Sequence, residues 1–289
     1  MLLAEPGDAT VPRPLLEPGA AWGRLRRRVA AQAGWLCSPL PVGRGVCRTC
    51  RGPADPGFAR CFQCDQHVTC APGLLADAVV PVSYAVKGGR HAETLWRYKS
   101  GRPDGDAAGA ALLSLLLVFL RDHGRCAWRA GGGPPTHVAT VPSTRGRVGP
   151  HPLRLSLGGC LRLPAARLAV AAPDWPGCPG PAAAAGPRPS PLEPEDRELQ
   201  PDLFTAERRL DGARVLLLDD TWTTGARAQS AAAAAKLAGA RAVVTVVLGR
   251  HLNPADFAGR PFGRALSGRG FRPDDCALHP PAVTSRLGT

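Results

Sequence analysis

The chain has 289 residues, 44% of them hydrophobic, enough for one medium domain plus a small module, or for two small domains, with a real core. Aromatic residues make up only 5% and there is one Met, so that core must be mostly Ala, Leu and Val, and base stacking on single-stranded nucleic acid is not indicated. The formal charge is +13, and Lys87, Lys99 and Lys236 are the only lysines, so nearly every cation is Arg. Between Arg121 and Ala172 eight Arg stand against one acid, Asp122. Such a field favours an anionic partner (a polyphosphate, a nucleic acid or a membrane surface), or it is simply a solvated basic face.

Residues 1–34 start Pro-rich and turn basic at "WGRLRRRVA", and read as a flexible lead followed by a short helix. The start has scattered acids and prolines and no apolar stretch of the secretory kind, so a cytoplasmic protein is expected. The ten cysteines are then metal ligands or inert thiols rather than disulfides.

Residues 35–76 hold six of those cysteines. Cys47-x2-Cys50 and Cys61-x2-Cys64 are two knuckles separated by ten residues, with Gly52, Pro53, Pro56 and Gly57 between them for a tight hairpin. Four thiolates at this spacing suit a tetrahedral structural zinc site with no open position. Cys37, His67 and Cys70 lie close by and could substitute or be bystanders. Cys126, Cys160, Cys178 and Cys276 show no ligand spacing and read as core or surface thiols.

Residues 77–252 carry the periodic apolar segments of a globular domain. Residues 78–86 read as a strand, 91–100 as a short helix and "DAAGAALLSLLLVFLRDH" as a longer one. Its apolar part, 107–120, is too short and too rich in Ala and Gly for a membrane span and reads as a buried helix, so no membrane insertion is expected. A strand follows over 136–143, then a candidate helix in "GPHPLRLSLGGCLRLP", a candidate strand in "ARLAVAAP", and a Pro/Ala-rich loop over about 173–201. Residues 213–220 read as a strand, 228–240 as a helix and 241–250 as a strand. Apolar strands alternating with helices give an α/β fold with a parallel sheet covered on both faces. Residues 253–289 lack periodicity and read as a loose tail or docking segment.

The chemistry concentrates in "VLLLDDTWTTGARA", 215–228. The strand shows no polar alternation, as expected when both faces are buried, and it ends in Asp219 and Asp220. Ligands of open parallel sheets bind beyond the carboxyl ends of the strands. The turn that follows is rich in hydroxyls, has Gly225 free to take a positive φ, and feeds a helix whose first amides can hold an anion. Acceptors for sugar hydroxyls therefore sit beside donors for a phosphate. The plainer alternative is that the acids and threonines only cap the helix.

This stretch resembles the phosphoribosyl diphosphate (PRPP) signature of type I phosphoribosyltransferases. The resemblance implies that Asp219 and Asp220 are the catalytic acids that hold the ribose 2′- and 3′-hydroxyls. It implies that Thr221, Trp222, Thr223, Thr224, Gly225 and Ala226 cradle the 5′-phosphate. Trp222 is bulky for that loop, and Arg227 stands where Thr or Ser is common. It also implies a diphosphate loop with Mg²⁺ as bridge, for which "VPSTRGRVG" (141–149), with Thr144, Arg145 and Arg147, is the candidate; an ordinary basic loop explains it equally. Mg²⁺ would arrive mostly on the substrate's own oxygens and water.

With the cysteine knuckles and "LWRYKSGRPD" included, residues 35–250 resemble the ComF family of competence-associated phosphoribosyltransferase-like proteins, with Lys99 at that family's usual lysine. The family's "RGFNQ" run appears only as "RVGPH", and "PGPAAAAGPRPSPLEPEDRELQPDLF" stands where the lid over the site would be. The resemblance implies a type I phosphoribosyltransferase-like domain with a small N-terminal zinc ribbon. Three functions follow: a Mg²⁺-dependent phosphoribosyltransferase, a non-catalytic binder of PRPP, nucleotide or nucleic acid associated with DNA uptake, or an inactive scaffold whose zinc module docks a protein. Neither the acceptor base nor the oligomeric state is readable.

Overall fold

A computed structural model describes residues 20–99, 105–144, 153, 163–171 and 198–279. The described elements are α1 (Ala20–Gln32), α2 (Phe62–Cys70), β1 (Ala78–Val86), α3 (Arg90–Arg97), α4 (Gly105–Ala130), β2 (His137–Thr140), β3 (Leu168–Val170), β4 (Phe204–Ala206), β5 (Arg214–Trp222), α5 (Ala226–Leu237), β6 (Ala242–Leu252) and α6 (Pro261–Leu266). β1, β6, β5 and β2 lie side by side in that order, and every neighbouring pair is parallel. The fold is therefore α/β, a four-stranded parallel sheet flanked by helices. β3 and β4 form a separate antiparallel pair, so the strand expected in "ARLAVAAP" exists but lies outside the main sheet.

Strand periodicity divides β5 between two cores. Leu216 and Leu218 pack with Val244, Val246 and Leu248 of β6 against α4. Val215 and Leu217 pack with Val243 and Val247 against Ala228, Ala231, Ala232, Ala234 and Ala235 of α5. Because α5 is covered nearly all round, its alanines allow close approach to the sheet. Gly249 plays the same part on the α4 side, where a Cβ would run into Leu95 of α3.

α4 is long and apolar enough to cross a membrane, yet over half of its apolar stretch is buried inside the protein. Leu112, Leu115, Leu116 and Phe119 belong to the core under the sheet, as expected of a buried helix. It also runs further than its apolar run, to Ala130, because Arg121, Arg125 and Arg129 fall where α4 is only partly covered. α1 packs on α4 through buried Trp22 and Val29, and Arg26 pairs with Asp122 at 2.9 Å. Part of the N-terminal segment thus belongs to the domain.

Two further boundaries differ from the sequence reading. The cysteine segment shares a core with the main domain: Cys47, Cys50, Ala54 and Cys64 lie in one buried cluster with Trp222, Val247 and α5. The described part of the C-terminal segment, 253–279, is built in rather than loose. Phe257 and Phe262 pack on Leu40, Val46, Tyr84 and Leu252, and Arg269 donates to the carbonyls of Ser38 and Pro39 at 3.0 Å each. These contacts involve apolar residues dispersed among Pro and Gly, which leave no periodic trace. Most of the candidate helix at 149–164 and most of the Pro/Ala-rich loop fall outside the described residues.

Candidate functional site

β5 carries Asp219 and Asp220 out at the carboxyl edge of the sheet, alongside β6 and just past Leu218, where the pairing with β2 stops. Successive side chains point to opposite faces, so the two acids have different surroundings. Asp220 is buried. Its Oδ2 accepts from the Tyr98 hydroxyl and its Oδ1 from the Lys99 ammonium, which also reaches Thr221 Oγ1 at 3.3 Å. Asp219 is half-buried, and its Oδ1 accepts from the Asp220 amide at 2.8 Å.

Tyr98 and Lys99 follow directly on α3, whose buried face carries His91 and Leu95. That spacing turns Tyr98 inward. Lys99 was readable from the sequence, through "LWRYKSGRPD". Tyr98 was not, because its contact lies 122 positions away and an aromatic residue at helical spacing reads as core.

The turn after β5 keeps its expected geometry but divides its residues between two jobs. Gly225 has φ +89° and caps α5. Thr224 Oγ1 accepts from the Ala226 amide at 3.3 Å. The first amides of a helix have no partner within it, so this end is a donor site for an anion. Trp222, expected to line the phosphate cradle, is instead fully buried, and a Cβ on Gly225 would overlap its ring. Trp222 is the floor under the turn, not part of its donor surface.

Thr144 lies just beyond β2, where the Val141 amide donates to the Leu218 carbonyl at 3.1 Å, so the candidate diphosphate loop leaves the sheet beside the acid pair. Arg145 and Arg147 lie outside the described residues.

Cys47, Cys50, Cys61 and Cys64 are brought together, with all four sulfurs within 4.8 Å of one another. The Arg51 amide donates to the Cys47 carbonyl at 3.0 Å, closing the first knuckle, and Arg51 sits at φ +58°. The second knuckle opens α2, where the Asp65 amide donates to the Cys61 carbonyl at 3.0 Å. Cys50 Sγ and Cys61 Sγ are 3.8 Å apart. That equals the tetrahedron edge, about 3.8 Å, set by metal–sulfur bonds of 2.3 Å. The cluster is compatible with structural zinc.

Its electrostatics point the same way. Hydrogen bonds from Cys47, Cys61 and Cys64 hold the Cys50 thiol well below its ordinary range, while contacts with Cys47 and Cys50 hold Cys64 well above it. Without a cation, four crowded thiols cannot all ionise. Cys37 and His67 are bystanders to the cluster: the Cys37 thiol donates to the Arg269 carbonyl at 3.2 Å, and His67 is buried and kept neutral by burial, its pKa pushed down to about 4. Cys70 is disulfide-bonded, so the reading of metal ligands and inert thiols does not extend to it.

The cluster and the acid-pair turn meet at buried Arg250 of β6. Its Nη1 donates to the carbonyls of Trp222 at 3.2 Å and Thr223 at 3.0 Å, and Gly52 of the first knuckle lies against its guanidinium. Neither the resemblance nor the spacing signalled this residue. It sits inside an apolar strand and reads there as a strand end.

No family model, curated protein or solved structure matches this chain.

Proposed function

We propose that the chain binds PRPP, or a related phosphorylated ribose, at the carboxyl edge of β5, as a phosphoribosyltransferase-like protein. One observation carries the reading. Asp219 and Asp220 lie near the carboxyl end of β5, two residues before its last residue Trp222, and the turn that follows opens α5 at left-handed Gly225. Acceptors for sugar hydroxyls and donors for a phosphate therefore stand within one turn of each other.

In this reading Asp219, the more accessible acid, takes a ribose hydroxyl first. Asp220 takes the second as Lys99 swings off Oδ1. The freed ammonium stays beside the phosphates, where its charge is useful. The amides after Thr224 hold the 5′-phosphate. Transfer of phosphoribosyl to or from a base would then rest on orientation and on stabilising positive charge at the ribose, with no covalent nucleophile. Both oxygens of Asp220 are already engaged, so the described residues offer no ready cage for Mg²⁺. The ion is assigned to the substrate's diphosphate and water.

The test is titration calorimetry with PRPP and Mg²⁺. Asp219→Asn should weaken binding about 10- to 100-fold, the worth of one charge-assisted hydrogen bond, without lowering the melting temperature. Equal affinity in the variant sinks the ribose assignment. Absent binding at millimolar PRPP in the unmodified protein turns the site over to another anion. Release of diphosphate with a panel of bases then separates an enzyme from a binder.

A further inference from the structure

Two pairs of metal-ligand side chains meet in a cluster that shares no residue with the acid pair. His123 and Cys126 stand three positions apart on α4, and Cys276 and His279 stand three positions apart in the last described turn. The four ligand atoms all lie within 4.8 Å of one another. Residues at i and i+3 of a helix share a face, so α4 presents an imidazole and a thiol in one direction. In the turn, the His279 amide donates to the Cys276 carbonyl at 3.1 Å, which folds the second thiol and imidazole to one side.

The distances suit coordination. Cys126 Sγ lies 3.7 Å from His279 Nδ1. Bonds of 2.3 Å to sulfur and 2.0–2.1 Å to nitrogen give a tetrahedron edge of about 3.6 Å. His123 is also held as a ligand is held. Its Nε2 lies 2.7 Å from the Pro273 carbonyl, so Nε2 carries the proton and donates, leaving the Nδ1 lone pair for a metal. A carbonyl on the far nitrogen is the usual way a coordinating imidazole is oriented. Phe119 packs against the same ring, with centroids 5.2 Å apart.

We propose that His123, Cys126, Cys276 and His279 form a second metal site, a closed tetrahedral Cys2His2 site for zinc. Two thiols and two imidazoles suit zinc, and four protein ligands leave no position for a substrate, so the site is structural. Binding displaces the two thiol protons to solvent, while the imidazoles bind neutral. The site pins a segment that has no regular structure of its own, 271–279, onto α4. Cys276 and Ala277 of that segment are buried in the main core. Arg51, which follows Cys50, donates from Nε to the Ala277 carbonyl at 2.9 Å, so the four-cysteine cluster braces the same stretch.

The test is metal analysis of the full chain purified without chelator, paired with Co²⁺ substitution. The double variant Cys126→Ser/His279→Gln should hold about one zinc equivalent fewer than the unmodified protein, and its Co²⁺ form should lose the visible bands of one tetrahedral site. His279 is exposed, so His279→Gln alone keeps the test valid if the double variant fails to fold. That single variant should shift the Co²⁺ bands and release one metal equivalent more readily to a chelator. Unchanged zinc content in a folded double variant, or unchanged bands and release in the single one, overturns the site and leaves a thiol–imidazole hydrogen-bonded cluster.

Discussion

The guanidinium of Arg250 donates to the carbonyl oxygen of Thr223 at 3.0 Å, from a position walled on its other side by Gly52 of the cysteine knuckle. A single buried cation thus holds the backbone of the turn after β5 and stands beside the thiol cluster. The turn that carries the candidate phosphate donors is braced by the segment that carries the candidate zinc ligands.

Removing that cation should therefore be felt at both places. Arg250→Met keeps the volume but leaves the Trp222 and Thr223 carbonyls without their donor and the thiol cluster without its countercharge. A loss of about 2–4 kcal/mol is expected in urea unfolding. Gly52→Ala should give a smaller loss, about 1–3 kcal/mol, because a Cβ there pushes the guanidinium off the carbonyls. A wild-type midpoint for both variants would mean that Arg250 braces neither part.

Gly225 has two reasons to be glycine, and they can be measured apart. Its φ of +89° costs any other residue about 1–2 kcal/mol. Its missing Cβ also leaves room for the Trp222 ring. Gly225→Ala should cost about 3 kcal/mol or more in the unmodified background, combining backbone strain and overlap. With Trp222→Leu beneath it the same change should cost only the strain, about 1–2 kcal/mol. Equal costs in both backgrounds would show that the ring does not restrain the turn.

Much of this site was legible because β5 is buried on both faces, which makes an uninterrupted apolar run that stops sharply at two acids. The four-cysteine cluster was legible because each knuckle is local in sequence. Elsewhere the determining contacts are long-range. Tyr98 meets Asp220 across 122 positions, and Cys126 meets His279 across 153. His123-x2-Cys126 and Cys276-x2-His279 carry a mirrored spacing, but each pair alone looks like chance. Trp222 could not be placed from the motif, since only the fold shows its ring beneath Gly225. Between the two readings of the C-terminal segment, loose tail or docking segment, the sequence could not choose, because Phe257, Phe262 and Cys276 are anchors without a period.

The Asp220 contacts predict a difference between two neighbouring residues. Tyr98→Phe removes a donor to a buried carboxylate and should cost about 2 kcal/mol. Lys99→Met removes the cation that faces the same carboxylate, but the ammonium is partly exposed and screened, so its stability cost should stay near 1 kcal/mol. Ligand binding should separate them. Lys99→Met should weaken PRPP binding measurably, and Tyr98→Phe should not. The reverse pattern would place Tyr98, not Lys99, at the ligand.

Acid should destabilise the fold through His91. Burial pushes its pKa down to about 4, and its Nε2 lies 3.1 Å from the Leu248 carbonyl. In the unfolded chain an ordinary histidine titrates near 6.5. Above that value both states are neutral and the pH has no leverage. Between about 6.5 and 4 the unfolded state takes a proton that the folded state refuses, so stability falls with falling pH. The full window is worth about 3 kcal/mol. Urea unfolding at pH 7.5, 6 and 5 should show that decline, and His91→Met should make it shallower by the share of one histidine, leaving the share of buried His67 in place. An unchanged slope in the variant would assign the acid sensitivity to other groups.

Removing metal should loosen more than the cysteine segment. Cys47, Cys50 and Cys64 belong to the same buried cluster as Trp222, Val247 and the alanines of α5. A knuckle that opens exposes that core and withdraws the wall behind Arg250. Loss of the cluster should therefore lower the melting temperature of the whole chain in one cooperative transition. It should also raise hydrogen exchange in the turn after Trp222 and at the start of α5, not only over 35–76. Chelator-treated protein followed by exchange mass spectrometry tests this directly. Exchange confined to 35–76 would make that segment an independent module and remove the mechanical link between the cysteines and the acid-pair turn.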